Sequence, residues 1–559
     1  MALNTPSVLP PLTPSVPATW QRAVVWAVAT VVALPFVWPW QRPPLAQFES
    51  QWLATTGWSL LVLLLVGSAC VGRPARRMRI DAIVLFGVLF LALPTSALLH
   101  ALPSTVWLLA SGVLLVATLS TVALTLVPEE IAAAAAAGLF RGLLVAALIN
   151  AGVTLVDVAV PGLAGAVWAV VDGRAVGMLG QPNHLALLTL WGMIAAFGVN
   201  LYRPLRLLAW LALAALLVTT GSRAAWLATY VLAVLAVAWR LPGPQQRRLM
   251  LLTALLPPAL FAVMMLAGLI TPPVSWLQRW QLWQNAVQLI AAAPITGYGF
   301  GQFNHAWTLT PLDPRAADVF DHPHNFPLAW AVDFGLPAAL GLLGLLLWTL
   351  VRARAALATS TGPILAGIGI VVIIHSLVEY PLWFAHFLLP LAAALALAVR
   401  LGASSAARPA PSCTDASAPL HRAMGLRTML ALAACLACAA SVAALIAYGE
   451  VASLNAQAAA EPPPDRRALV DQARRLRQDP IFGHLGDYAW VMLAGDQAEL
   501  TDFDRPLRHV IDERLLVAYA LALQAAGDTD GARRIGERAR EFPLHPLWQR
   551  LPAASTPRR

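Results

Sequence analysis

Lysine is absent from this chain, so all 37 basic residues are arginine. Charge of either sign is scarce at 12% of 559 residues, where a soluble protein carries about a quarter. That shortfall, with 59% hydrophobic residues and a mean hydropathy of +0.69, excludes a soluble globular chain and leaves a polytopic membrane protein. The net charge of +9 would suit nucleic acid, but the arginines lie in short loops between apolar runs, so no nucleic-acid partner is expected. Cysteine is nearly missing, with only Cys70, Cys413, Cys435 and Cys438. Cys435-Leu-Ala-Cys438 spells CxxC inside an apolar run without His or Cys partners nearby, and reads as a small-residue packing face rather than a metal or redox site. Met1 to Thr19 is rich in Pro and Ser and lacks a basic start, which predicts a short cytoplasmic tail over residues 1–21 rather than a signal peptide.

What is present is a series of long apolar runs. A span needs about 20 apolar residues, and arginine in short loops marks the cytoplasm. Runs fall near 22–40, 55–71, 80–99, 105–127, 141–160, 185–200, 205–219, 224–239, 249–270, 326–350, 363–379, 382–399 and 428–448. Numbering them alternately outward and inward puts nearly all arginine clusters on one side. The opposite side then receives Arg174 with Gln181-Pro182-Asn183-His184, Arg223, the 271–325 loop, and Glu379-Tyr380. The fold expected is all-α: about 12–13 transmembrane helices over 22–449, a large outer loop at 271–325, and a small helical domain at 450–559. In that last piece, stretches near 465–478 and 515–541 show helical apolar spacing, and 515–534 looks like one tetratricopeptide-like helix pair.

The longest polar interruption, Ser275 to Asn325, reads as the lid and part of the floor of an active site, since polar groups held near a bilayer usually have a task. His322-Pro323-His324 sits just before a span, and imidazole suits proton transfer from a hydroxyl near neutral pH. Asn325 could orient the ring or a substrate. The bland reading is a solvated His-rich loop; a metal is disfavoured because only His305 is close enough in sequence to join the pair. Arg174, Arg223 and Arg279 end three different segments on the outer side, where planar guanidiniums could clamp a pyrophosphate or snorkel to headgroups. Gly297-Tyr298-Gly299-Phe300-Gly301 offers a loop able to approach a substrate closely. Glu379, four residues after His375, could position a base or bind sugar hydroxyls; pairing with an arginine is the favoured reading. Trp276, Trp280, Trp283 and Trp307 read as an interfacial belt.

In this order the motifs are Arg174 to His184 with its GQPNH ending, Gly221-Ser222-Arg223, Arg279 with Trp283, Pro294 and the three glycines, His322-Pro323-His324-Asn325, and His375-Ser-Leu-Val-Glu379-Tyr380-Pro381-Leu382. Together they resemble the O-antigen ligase/polymerase (Wzy/WaaL) superfamily, and most closely its PglL-type protein O-oligosaccharyltransferases. The resemblance spans about 170–400, and the polar tail fits the same branch. It implies a multi-pass protein of the bacterial inner membrane, with its active site facing the periplasm and no cofactor or metal. The implied reaction moves an oligosaccharide, with inversion, from undecaprenyl pyrophosphate to a hydroxyl, commonly of a pilin-like protein. By matching position His324 would be the general base or the residue that orients the acceptor, with His322 and Asn325 beside it and either histidine able to take the proton. Arg223 and Arg279 would face the pyrophosphate, with Arg174, Gln181, Asn183, His184, Glu379 and Tyr380 as further binding candidates. The family pattern has Glu nine residues after that His; here Asp333 stands there, one methylene shorter, with a structural role expected. Alternatives are a ligase acting on lipid A core, a polysaccharide polymerase, a transporter, or an assembly factor indifferent to His324.

Overall fold

Apolar runs flanked by Pro, Gly and arginine dictate helices that end where the polar residues begin. The computed structural model describes residues 16–541 apart from 46, 70–79, 161–169, 172, 239–254, most of 256–275, 317–318, 407–419, 459–464, 495–496 and 510. The ninth apolar run, the arginines at 73–79 and 240–248, Cys70 and Cys413 lie outside the described residues. The helices are α1 (Ala18–Ala33), α2 (Phe48–Ala69), α3 (Asp81–Leu99), α4 (Ser104–Leu126), α5 (Glu129–Ala159), α6 (Pro182–Ala195), α7 (Arg203–Thr220) and α8 (Arg223–Ala238). After them come α9 (Trp276–Ala292), α10 (Phe303–Leu309), α11 (Phe326–Ala353), α12 (Gly362–His375), α13 (Ala385–Ala406) and α14 (Leu420–Ala458). Four short helices follow: α15 (Arg466–Leu476), α16 (Gly483–Ala494), α17 (Glu513–Ala525) and α18 (Thr529–Ala539). One antiparallel two-residue pair, β1 (Val170–Val171) and β2 (Arg174–Ala175), precedes α6.

Among the described residues nine helices are long and apolar enough to cross a membrane. That is fewer than the thirteen runs expected, because α6, α8 and α12 have 14, 16 and 14 residues and the ninth run lies outside the described residues. Helices this short survive at membrane depth where protein, not lipid, surrounds them, and His184 to Ala195 of α6 are all buried. At the centre stands α13, packed against α2, α4, α5 and α12; its spanning window is 89% buried, against 22% for α14. An all-round apolar helix belongs either in a core or in lipid, and α13 takes the first place and α14 the second. Cys435 on α14 is exposed, so the CxxC stretch faces outward rather than forming a packing seam.

Three expectations need correction. Residues 275–325 are not one loop, since α9 and α10 lie within them. The amphipathic spacing of α9 escaped notice because its polar positions are glutamine, asparagine and arginine rather than a charged face. Trp307 is fully buried rather than part of an interfacial belt. It belongs to a second core that joins Leu282 and Val332 to Phe503, Leu515 and Leu516. The C-terminal stretch holds two helix pairs, α15–α16 and α17–α18, rather than one. They share cores with the rest of the chain, at Trp307 on one side and at Trp52 and Tyr448 on the other.

Candidate active site

Each polar side chain of interest projects from a helix end. Gln181 caps α6, its Oε1 accepting the His184 N–H at 2.7 Å, and Pro182 supplies the first helical residue. This turn aims Asn183 outward. Gly221, at φ +59°, ends α7, and Arg223 opens α8 two residues later. Arg174 reaches from β2 to donate Nε to the Thr220 carbonyl at 2.8 Å. Arg279 sits in the first turn of α9.

The His and Glu segments are laced together. Asn325 caps α11 by accepting the Leu328 N–H at 3.1 Å and donates Nδ2 to the Leu377 carbonyl at 3.0 Å. The Phe326 N–H reaches the Ser376 carbonyl at 3.0 Å. Glu379 continues the last turn of α12 through its N–H to the His375 carbonyl at 2.9 Å. Trp283 of α9 donates to the Pro323 carbonyl, between the two histidines, at 3.1 Å.

These constraints converge on Glu379, whose side chain is 3% exposed. Its Oε1 accepts from Arg279 and from Asn183 Nδ2, the latter at 2.8 Å, while Oε2 lies 3.2 Å from His324 Nδ1. Burial alone would raise the Glu379 pKa; the His324 hydrogen bond and the Arg279 charge outweigh it and hold the group at about 2. His324 adopts φ +50° and keeps 17% of its side chain exposed. His322 is buried, with Nδ1 2.7 Å from Asp321 Oδ1 and its ring 3.4 Å from the Tyr380 ring centroid. Burial pushes the His322 imidazole down, against the pull of Asp321. Tyr380 also lies 4.9 Å from the His324 ring, and burial raises its phenol pKa. Arg174 is half-buried; burial lowers its pKa, Glu379 opposes this, and the Arg223 and Arg279 charges lower it further. Arg223 in turn interacts with Arg279. Arg279 therefore sits on the carboxylate beside one accessible imidazole, Arg174 feels that carboxylate's charge, and Arg223 lies within electrostatic range of both guanidiniums.

Not every expected residue arrives there. His184 is buried between Phe384 and Phe387, with Nδ1 3.1 Å from Gln47 Nε2, so it belongs to the frame rather than to the open face. Gln181 and Asn325 likewise spend their amide groups on helix caps. His305 turns away, its Nδ1 2.7 Å from the Leu507 carbonyl of the C-terminal part. Asn183, Asp321 and Trp283 take larger parts than their types suggested. Asn183, inside GQPNH, and Trp283, four residues after Arg279, had a sequence signal; Asp321 had none.

The glycine run plays a different part from the substrate loop expected of it. Pro337 has no N–H for the Asp333 carbonyl, and Gly335, at φ +79°, breaks α11 just before it. The Leu336 N–H goes to the Pro294 carbonyl instead of Val332. Each carbonyl left buried and unpaired would cost about 1–3 kcal/mol. Tyr298 and Gly299 N–H groups satisfy Val332 and Asp333 at 2.8 and 2.9 Å. A Cβ at Gly297 would sit 2.4 Å from the Val332 oxygen, and one at Gly335 2.1 Å from the Ile295 oxygen. Glycine is what lets the two backbones meet. Asp333 is buried in this joint, its carboxyl against the Gly301 and Gln302 amides.

Comparison with known proteins bears on this arrangement. A family model described as O-antigen ligase matches residues 207–343, and one described as virulence factor membrane-bound polymerase, C-terminal, matches residues 364–554. Between them they take in more than half of the chain. No curated protein matches it.

Proposed function

The chain belongs to the O-antigen ligase/polymerase superfamily, and we propose that it transfers an oligosaccharide from undecaprenyl pyrophosphate to a Ser or Thr hydroxyl of a periplasmic acceptor protein. The observation that carries this reading is the Arg279–Glu379–His324 cluster, which sets a phosphate-binding cation and an accessible imidazole on one buried carboxylate. In the proposed step the acceptor oxygen bonds to the anomeric carbon from the face opposite the pyrophosphate, inverting it. The carbon–oxygen bond to the pyrophosphate breaks, and its electron pair leaves on the lipid pyrophosphate. The acceptor proton passes to Nε2 of His324. Glu379 accepts from Nδ1 of that ring, which keeps Nε2 as the basic nitrogen. Arg174, Arg223 and Arg279 neutralise charge growing on the leaving group.

Pyrophosphate already leaves readily, so holding the hydroxyl and the anomeric carbon together is the larger task; such positioning supplies up to about 7–11 kcal/mol of a barrier. The site face is read as periplasmic, in the inner membrane, because the arginine-rich loops fall on the other side. His324 is preferred to His322 as the base because it keeps an exposed edge while Tyr380 covers its neighbour.

Transfer to lipid A core, or polymerisation of the glycan, is the second reading, and the descriptions of the two matching families favour it. The acceptor decides. Co-expression with a lipid-linked glycan pathway and candidate pilins, followed by intact-protein mass measurement, should give an acceptor heavier by one glycan. Unmodified pilins alongside altered lipopolysaccharide would replace the first reading with the second.

A further inference from the structure

The C-terminal helices reach toward the cluster by way of Trp307 and its neighbours. Trp307 of α10 is fully buried, and its Nε1 donates to Asn285 Oδ1 of α9 at 3.1 Å. Asn285 also holds the Pro314 carbonyl and the Ala316 N–H, at 2.7 and 3.2 Å. It stands six residues, less than two turns, beyond Arg279 on the same helix. A second branch leaves the indole through Phe320, ring centroids 5.7 Å apart, and Phe320 meets the His324 ring at 5.9 Å.

Arg538 of α18 closes the arrangement from behind. It is buried, donates Nε to the Thr308 carbonyl, and lies 5.2 Å from the Trp307 ring centroid. Arg315 lies at the same distance from that ring, and Glu541 pairs with both guanidiniums. Asn304 adds a parallel tie, donating to the Phe320 carbonyl and accepting the Ile511 N–H, each at 2.8 Å. A buried charge over an indole, hydrogen-bonded to backbone, adds a directional restraint to the apolar packing of the ring.

We infer that α18 is part of the catalytic apparatus, with Arg538 and Trp307 acting as positioning residues for Arg279 and His324. This rests on the proposed site. Its consequence is that the C-terminal part is not a detachable docking module, because its last described helix sets the geometry of residues more than 200 positions earlier.

The test uses full-length protein, the lipid-linked donor and whichever acceptor wild type modifies. Trp307→Phe keeps one aromatic six-membered ring and removes the pyrrole half with its Nε1 donor; Arg538→Gln removes the charge. Both should lower kcat about tenfold to a hundredfold, with donor KM within about twofold; each also disturbs a buried site, so rates are compared at temperatures where the variants remain folded. A positioning role also predicts coupling: in an Arg279→Lys background, Trp307→Phe should add little further loss. Equal fold-losses in both backgrounds, or wild-type rates for both single variants, would overturn the inference. Should Arg538→Gln fold poorly, Trp307→Phe decides alone. Full activity in Arg279→Ala and His324→Ala would overturn the site itself, whereas dead catalytic variants beside an unaffected Trp307→Phe would sink only this inference.

Discussion

Glu379 holds Oε2 3.2 Å from Nδ1 of His324 and gives its other oxygen to Arg279 and Asn183. One buried acid therefore joins the proposed base to the proposed phosphate ligand. Glu379→Gln keeps the shape and removes the charge that orients His324. Transfer should fall by about 10²-fold or more, the range of general-base effects. Glu379→Asp, one methylene shorter, cannot span both partners and should retain only part of the activity. Initial rates at matched protein levels in membranes check both.

Arginine and lysine should part company at position 279. A lysine keeps the charge but not the planar fork, so Arg279→Lys should lose much of the rate. Arg279→Ala leaves the buried Glu379 carboxylate to Asn183 and His324, and so should also lower the thermal midpoint. Arg223→Ala should remove one of the proposed phosphate contacts, a hydrogen bond to a charged group being worth about 1.5–3 kcal/mol. Its effect should appear as a donor KM raised roughly ten- to a hundredfold, read from rates at varied donor concentration.

The broken joint in α11 predicts a sharp contrast among glycines. Gly335→Ala would place a Cβ 2.1 Å from the Ile295 oxygen at φ +79°, a backbone setting that alone costs about 1–3 kcal/mol for other residues. The thermal midpoint in detergent should fall markedly. Gly341→Ala, with nothing within 4 Å of its Cβ position on the same helix, should leave it unchanged.

Acid should loosen the C-terminal junction. His484 of α16 and His509 stack with centroids 3.6 Å apart, and His509 meets Thr105 of α4 at 2.9 Å. Burial lowers the His484 pKa from 6.5 to about 3. The folded state therefore prefers the neutral ring, and this stabilisation is complete above pH 6.5 and declines as pH falls toward 3, by about 1.4 kcal/mol per pH unit. Glu379, lowered from 4.5 to about 2, adds a loss only at the acid end of that window. The protection of α16 amides, corrected for the pH dependence of intrinsic exchange, should fall between pH 7 and pH 4.5, and His484→Phe should reduce that fall, with the buried His509 retaining part of it. An unchanged slope in the variant would reject the assignment.

Much of the architecture was readable in advance because hydropathy and helix-end chemistry are local. Runs such as 80–99 and 105–127 match α3 and α4 to within a residue, since Pro, Gly and charged residues stop a helix wherever they occur. The α9 helix was not readable, because its apolar face covers Trp307 and the α17–α18 core rather than lipid, and no single stretch displays that partner. Thirteen apolar runs overstated the long spans, as sequence does not say whether a 14-residue helix is surrounded by lipid or by protein.

By itself the sequence determined that this chain is an all-helical, multi-pass membrane protein whose motifs are those of the O-antigen ligase/polymerase superfamily, because composition and motif order survive without knowledge of contacts. Only the tertiary structure decided that Glu379 joins Arg279 to His324, that His184 and His305 turn away, and that the glycine run mends a broken helix. Those outcomes depend on side chains up to 200 residues apart reaching one another, and a low-dielectric interior leaves a charge there only where such a partner arrives.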